Sequence, residues 1–244
     1  MKKKVILITG SNGGLGSAAI EHLLSIGKFD VLGQYRSSKM AVEKIFRKYG
    51  VEPDGHLFKA ELTDERDVAQ LHSDVSARFG QLHGLVNLAG GSINAMSWKM
   101  TVEDYRAVVD QNLMSTFLMC RQFGPDFRAQ GGGRIINISS VVSSIGIAGA
   151  SVYAASKAAV EGFSKSLSLE LAKSAVTVNT LALGYFDAGI IDAVPEKNQE
   201  ILKQRIPLGE FGKSNQLGGL IEFLMSDDSA YLTGAVIPVD GGLS

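Results

Sequence analysis

The sequence predicts one α/β domain, a doubly wound parallel sheet of seven strands with helices on both faces, and three observations carry that expectation. Short, β-branched apolar runs alternate with longer segments of helical period. The runs are apolar throughout rather than alternating, as in strands covered on both sides. Gly, Pro, Asn or Asp stands at most of the joins, and no composition shift, linker, repeat or low-complexity tract divides the 244 residues.

Val5 to Ile8, four apolar residues in succession, is the first strand, and Gly14 to Ile26 follows with helical period. Phe29 to Tyr35 and the helix Lys39 to Tyr49 come next, then a short strand at His56 to Lys59 and a helix at Glu65 to Phe79. Leu82 to Leu88 is the fourth strand, followed by the longest helical segment, Val102 to Arg128. Arg134 to Ser139, the helix Ser151 to Lys173 and the strand Val176 to Ala182 continue the alternation, which ends with Asn215 to Met225 as helix and Ala235 to Val239 as strand. Gly184 to Gly212, holding Pro195 and Pro207, is the longest irregular stretch, either a substrate lid or a plain surface excursion. Ligands of such a sheet bind beyond the carboxyl ends of its strands, near the point where the winding reverses. The loops after each strand are therefore where function is sought.

Composition narrows the classes. With 24 Lys plus Arg against 25 Asp plus Glu, the net charge of −1 creates no field that would recruit nucleic acid or an anionic membrane. One cysteine, Cys120, cannot form an internal disulfide, and four scattered histidines supply no metal spacing. Although Met1 to Lys4 resembles a charged leader, Val5 to Ile8 is too short for a signal-peptide core, and nothing reaches the length of a membrane span. The expectation is a soluble, cytoplasmic protein.

Thr9-Gly10-Ser11-Asn12-Gly13-Gly14-Leu15-Gly16 follows the first strand and opens the first helix. Glycines there let the backbone turn sharply, approach a diphosphate closely and aim free N–H groups of the helix N-terminus at the anion. A glycine pattern alone is weak and could be a turn with no ligand, but its strand-turn-helix setting reads as a Rossmann-like dinucleotide site. Which dinucleotide is decided at the end of the second strand. Gln34-Tyr35-Arg36-Ser37-Ser38 lacks the carboxylate that would bind the ribose hydroxyls of NAD, and Arg36 suits a phosphate, so NADP is favoured. The alternative is that Arg36 is a solvated loop residue.

Tyr153 and Lys157 lie four residues apart on a predicted helix, hence on one face, where an ammonium can lower a phenol pKa from roughly 10 toward neutrality. A drop of three units is worth about 4 kcal/mol. Tyr35 and Lys39 share the spacing but span a strand end and a turn, so they lack the common face. Ser140 ends the fifth strand, Asn87 to Gly90 end the fourth on the same edge, and Asn112 lies on the helix between them. Singly, each is an ordinary cap or turn former.

Together these residues resemble the compact branch of the short-chain dehydrogenase/reductase family, and the resemblance spans the chain: Thr9 to Gly16, Asn87 to Gly90, Asn112, Ser140, Tyr153, Lys157, Leu232-Thr233-Gly234 and Val239 to Gly242. The resemblance implies that Tyr153 exchanges a proton with the substrate oxygen. It implies further that Lys157 lowers the tyrosine's pKa and holds the nicotinamide ribose, that Ser140 polarises the carbonyl, and that Asn112 helps hold a relay water. It implies NADP(H) contacts at Gly10, Ser11, Asn12, Gly14, Leu15, Gly16, Arg36, Ser37, Glu61, Leu62, Asn87, Ala89, Gly90, Tyr153, Lys157, Gly184 and Phe186. Departures from the family pattern are Leu88 in place of a second asparagine, Leu183 for proline, Ala188 for threonine and Glu61 for a shorter acid; they bear on cofactor affinity rather than on catalysis.

Among compact members the chain is most similar to 3-oxoacyl-[acyl-carrier-protein] reductases, through Tyr35-Arg36-Ser37, Ile206 to Gly209 and Ile237 to Gly242. That implies reduction of an acyl thioester, with acyl carrier protein as the candidate carrier and Arg128, Arg134 and Lys173 as a thin candidate landing patch whose bland reading is solvated charge. The family also implies a homotetramer built on the helices Val102 to Arg128 and Ser151 to Lys173. The second shows Ala154, Ala155, Ala158, Ala159, Gly162 and Phe163, which burial against its own sheet would explain as well. Rival readings are a dehydrogenase of another alcohol or ketone, a redox-inactive NADP-binding sensor and, disfavoured by charge, a nucleic-acid-binding domain.

Overall fold

In the computed structural model, which describes residues 3–244, seven parallel strands form one sheet with the order β3-β2-β1-β4-β5-β6-β7. They are β1 (Lys4–Ile8), β2 (Phe29–Tyr35), β3 (Leu57–Lys59), β4 (Gly84–Asn87), β5 (Gly133–Ser140), β6 (Val176–Leu183) and β7 (Val236–Val239). Met1 and Lys2, part of the charged N-terminal run considered above, lie outside the described residues. The helices are α1 (Gly14–Ile26), α2 (Met40–Lys48), α3 (Glu65–Phe79), α4 (Val102–Val109), α5 (Ser115–Gln130), α6 (Val142–Ile145), α7 (Ser151–Leu171), α8 (Glu196–Arg205) and α9 (Ser214–Met225).

Period-two alternation divides the strand side chains between two cores. Ile6, Ile8, Val31, Val86, Ile136, Ile138 and Leu181 meet Ala19, Ile20 and Leu23 of α1 and Leu217 and Ile221 of α9. Val5, Leu7, Leu32, Leu85, Ile135 and Val178 meet Val68 and Leu71 of α3 and Met119, Phe123 and Phe127 of α5. Both faces are covered, which is why the strands carry no polar alternation. Local caps set the helix starts: the Asp64 carboxylate accepts from the N–H groups of Arg66 and Asp67, and Thr101 Oγ1 accepts from Asp104 N at 3.0 Å. Winding reverses between β1 and β4, which opens a crevice at their carboxyl ends.

Three expectations need correction. The helix read through Val102 to Arg128 is interrupted by a π-helical turn at Asp110–Met114. Such a turn frees carbonyls, and here side chains take them: Ser115 Oγ donates to Gln111 O at 2.7 Å, Thr116 Oγ1 to Asn112 O at 2.8 Å and Asn112 Nδ2 to Val108 O at 2.8 Å. The stretch Gly184 to Gly212 is not irregular throughout. It holds a 3₁₀ turn at Ile190–Ala193 and α8, whose polar sequence buries no residue fully and so shows little apolar periodicity. Finally, α6 is a single turn too short to read from sequence.

Candidate active site

A cleft of about 770 Å³ runs along the carboxyl edge of the sheet, from the β2 and β3 ends across β1 and β4 to the β5–α6 and β6–α8 connections. Its floor at β1 depends on glycine. Gly10 has φ +66°, and a β-carbon there would lie 2.9 Å from Ala89 Cα; one at Gly14 would lie 2.8 Å from Ala188 Cβ. Thr9, buried beneath, accepts at Oγ1 from Leu88 N and Ala89 N, both at 2.9 Å, and so ties the β1 and β4 ends together. Gln34 does the same between β1 and β3: Oε1 accepts from Gly10 N at 3.0 Å and Nε2 donates to Ala60 O at 2.7 Å.

At the β2 end, Arg36 and Ser37 are exposed on the cleft wall, and among the described residues Arg36 has no hydrogen-bond or ion-pair partner. Asn12 lines the cleft while its Oδ1 accepts from Ala41 N at 3.1 Å, capping α2. Glu61 and Leu62 line the cleft too, but Glu61 Oε1 already accepts from Thr63 Oγ1 at 2.9 Å. The misleading pair of the sequence is resolved as expected, because Lys39 lies 3.1 Å from Asp54.

At the other end, Ser140 and Tyr153 line the cleft with Lys157, and Ser140 Oγ accepts from Val142 N at 3.3 Å. Lys157 is buried; its Nζ donates to Ile138 O at 2.9 Å and lies 5.8 Å from the Tyr153 ring centroid. Burial pulls its pKa down from 10.5 to about 8. The expected acidification of Tyr153 does not appear in the free chain. Burial pushes the phenol above its ordinary value, the Ser140 hydrogen bond opposes it, and desolvation is the larger effect. One helical face brings Tyr153 and Lys157 close, but the amine spends its hydrogen bond on β5.

Four of the expected residues, Asn112, Asn87, Ser11 and Gly16, sit behind the cleft wall. Asn112 is buried on the π turn; Nδ2 donates to Gly91 O at 2.8 Å and Oδ1 accepts from Gly91 N at 3.3 Å, so it pins the loop after β4. Asn87 pairs with Asn137 across β4 and β5, its Nδ2 donating to Asn137 Oδ1 at 2.8 Å and approaching Cys120. Ser11 and Gly16 lie under the loop; the buried Ser11 hydroxyl has no hydrogen-bond partner among the described residues, and a β-carbon at Gly16 would collide with the Gly10 carbonyl. Gly10, Gly14, Leu15, Ala89, Gly90, Gly184 and Phe186 reach the cleft. Gln111, Val142, Ile147, Tyr185, Ile191, Val194 and Leu202 also line it, and no sequence signal singled them out. They come from loops and helix edges whose meeting is tertiary. Cys120 is buried, its thiol pushed up to about 12, which makes it a poor nucleophile. Within one chain Arg128, Arg134 and Lys173 sit at the amino edge of the sheet, away from this cleft, because helices antiparallel to the strands end there.

A dinucleotide-sized cleft at the switch point of a doubly wound sheet, ending in a serine, a tyrosine and a buried lysine, defines a nicotinamide-dependent oxidoreductase acting on CH–OH and C=O groups. The chain belongs to the short-chain dehydrogenase/reductase family: residues 10–244 match the family model described as enoyl-(acyl carrier protein) reductase. It is 35% identical to the 3-oxoacyl-[acyl-carrier-protein] reductase FabG of Thermotoga maritima over 100% of this chain and 98% of the relative. Identity to the Pseudomonas aeruginosa protein of that name is 34%, again over 100% and 98%. Nodulation protein G of Azospirillum brasilense is 32% identical over 100% of this chain and 99% of that protein. Among the described residues no group of His, Cys, Asp and Glu could hold a metal ion, and no helix is long and apolar enough to cross a membrane.

Proposed function

We propose that the protein is an NADPH-dependent reductase of a ketone, a 3-oxoacyl thioester, giving the 3-hydroxyacyl product, and that it works in the cytoplasm on chains borne by acyl carrier protein. The observation that carries this reading is that two hydroxyl-bearing residues, Ser140 and Tyr153, line the same end of the cleft beside the buried Lys157. A carbonyl oxygen accepts two such donors; an isolated C=C bond accepts neither. The chain's groups fit the dinucleotide. Gly10 and Gly14 leave the floor bare, and Arg36, a cation with no ion-pair partner among the described residues, stands where the adenosine phosphate of NADPH would lie.

What the bound dinucleotide supplies is a hydride for the carbonyl carbon. Ser140 donates a hydrogen bond to the carbonyl oxygen and orients it. Tyr153 transfers its phenolic proton to that oxygen as negative charge develops there, so hydride and proton together make the alcohol. The Lys157 ammonium, 5.8 Å from the ring centroid, favours the phenolate left behind. Asn112 keeps the loop after β4 in place through Gly91. Val142, Ile147, Ile191 and Val194 provide a dry wall for an acyl chain.

The same reading includes a homotetramer built on α4, α5 and α7. Ala155, Ala158 and Gly162 face outward along α7, beyond the reach of the sheet, and Phe117 and Leu169 are exposed nearby. Loss of NADPH absorbance across acetoacetyl thioesters, the matching 2-enoyl thioester, sugars, steroids and small diketones tests the chemistry. Turnover of the acetoacetyl thioester is expected. Turnover of the enoyl thioester alone overturns the carbonyl assignment, and NADPH binding with no turnover on any member makes the protein a sensor.

A further inference from the structure

Glu161 stands one helical turn beyond Lys157 and two beyond Tyr153 on α7, half-buried. Its Oε1 accepts from Ser139 Oγ and from Ser143 Oγ, each at 2.6 Å. Ser139 immediately precedes Ser140, and Ser143 Oγ also lies 2.6 Å from the carbonyl oxygen of Ser140 itself, its one proton shared between the two acceptors. Ser139 Oγ is a further 3.2 Å from the Lys157 carbonyl. The turn that presents Ser140 leads into α6, four residues ending at Gly146 with φ +63°, too short to hold its own geometry. A serine in such a turn ordinarily bonds only its neighbours. Here a carboxylate from another element grips the turn on both sides of Ser140, through short bonds to an acidic oxygen.

We propose that Glu161 is a positioning residue for the reaction: by clamping Ser139 and Ser143 to the helix that bears Tyr153 and Lys157, it sets where the Ser140 hydroxyl meets the phenol. The inference rests on the ketone-reductase reading given above. It makes α7 the common mount of the proton donor and, at one remove, of the group that orients the carbonyl. Tyr153 is faced by Ser140 from β5 and by Lys157 from its own helix, and the Ser140 hydrogen bond opposes the upward push of burial on the phenol. Loosening Ser140 therefore moves the phenol further up.

Glu161→Ala, Glu161→Gln and Ser143→Ala test the clamp in the full-length protein. A displacement of this kind lowers kcat about tenfold in Glu161→Ala, with NADPH Kd within about twofold of wild type. Glu161→Gln, which keeps a carbonyl acceptor, retains most of the activity, and Ser143→Ala falls between the two. The second readout needs no substrate: in ¹³Cζ-tyrosine NMR of ligand-free protein, the Tyr153 signal, assigned by its absence in Tyr153→Phe, titrates at higher pH in Glu161→Ala than in wild type. Unchanged kcat and an unmoved Tyr153 titration in Glu161→Ala overturn the clamp. Should Glu161→Ala fail to fold, Ser143→Ala decides in the same way. A wild type inactive on every ketone sinks the reductase reading instead, while the titration still judges the clamp.

Discussion

Replacing Lys157 by methionine should make the free protein more stable at neutral pH and destroy its activity. The amine is fully buried, and its pKa falls from 10.5 to about 8 through desolvation. At 1.36 kcal/mol per unit, keeping that ammonium charged in the folded state costs about 3 kcal/mol. Methionine has nearly the same length, lacks the charge, and leaves Ile138 O without its 2.9 Å donor, a loss of about 1 kcal/mol. The variant is therefore more stable by about 2 kcal/mol at pH 7. Below pH 8 both states of the wild type are protonated and the cost is full. Between about 8 and 10.5 the unfolded chain holds the proton that the folded chain has lost, so wild-type stability climbs with pH; above 10.5 both are neutral and the cost is gone. Cys120 and Tyr153, whose values are raised, lose stabilisation at alkaline pH in both proteins and cancel in the difference. Urea unfolding at pH 7 and pH 10.5, at one protein concentration, reads the gap. It should favour methionine at pH 7 and vanish or reverse at pH 10.5. A gap of equal size at both values, or a variant less stable at pH 7, refutes the claim that Lys157 is a strained buried cation.

Tyr153→Phe should lower kcat by about 10² to 10⁴-fold, as loss of a general acid does, with NADPH binding by fluorescence titration little changed. Near-normal turnover would remove the tyrosine from the mechanism. Arg36→Ala should raise KM for NADPH by about tenfold or more, the worth of a hydrogen bond to a charged group, and leave NADH kinetics as they were, so steady-state assays with both cofactors see the preference collapse. Light scattering at micromolar concentration should return four times the 26.0 kDa chain mass; a monomer discards the assembly on α4, α5 and α7.

Apolar runs and glycine punctuation were enough to read all seven strands and their winding, because a strand covered on both faces has no choice but to be apolar. Gly10, Gly14, Ser140, Tyr153 and Lys157 were legible as well, since each carries chemistry that its residue type announces, and each lines the cleft. α8 was not, because a polar surface helix with Ile201 and Leu202 as its only large apolar residues leaves too faint a period. The inward direction of the Asn87 and Ser11 side chains was not legible, because it follows from the strand register and the loop fold.

Residue types and spacing by themselves determined the topology, the glycine-rich bend after β1 and the placing of Tyr153 and Lys157 on one helical face, all of which depend on local period and on chemistry near in sequence. Tertiary structure alone decided the sign of the Tyr153 shift, the bond from Lys157 to β5 and the grip of Glu161 on the turn before α6. Those depend on how much water is excluded and on which distant backbone groups arrive within about 3 Å, quantities that no spacing along a chain encodes.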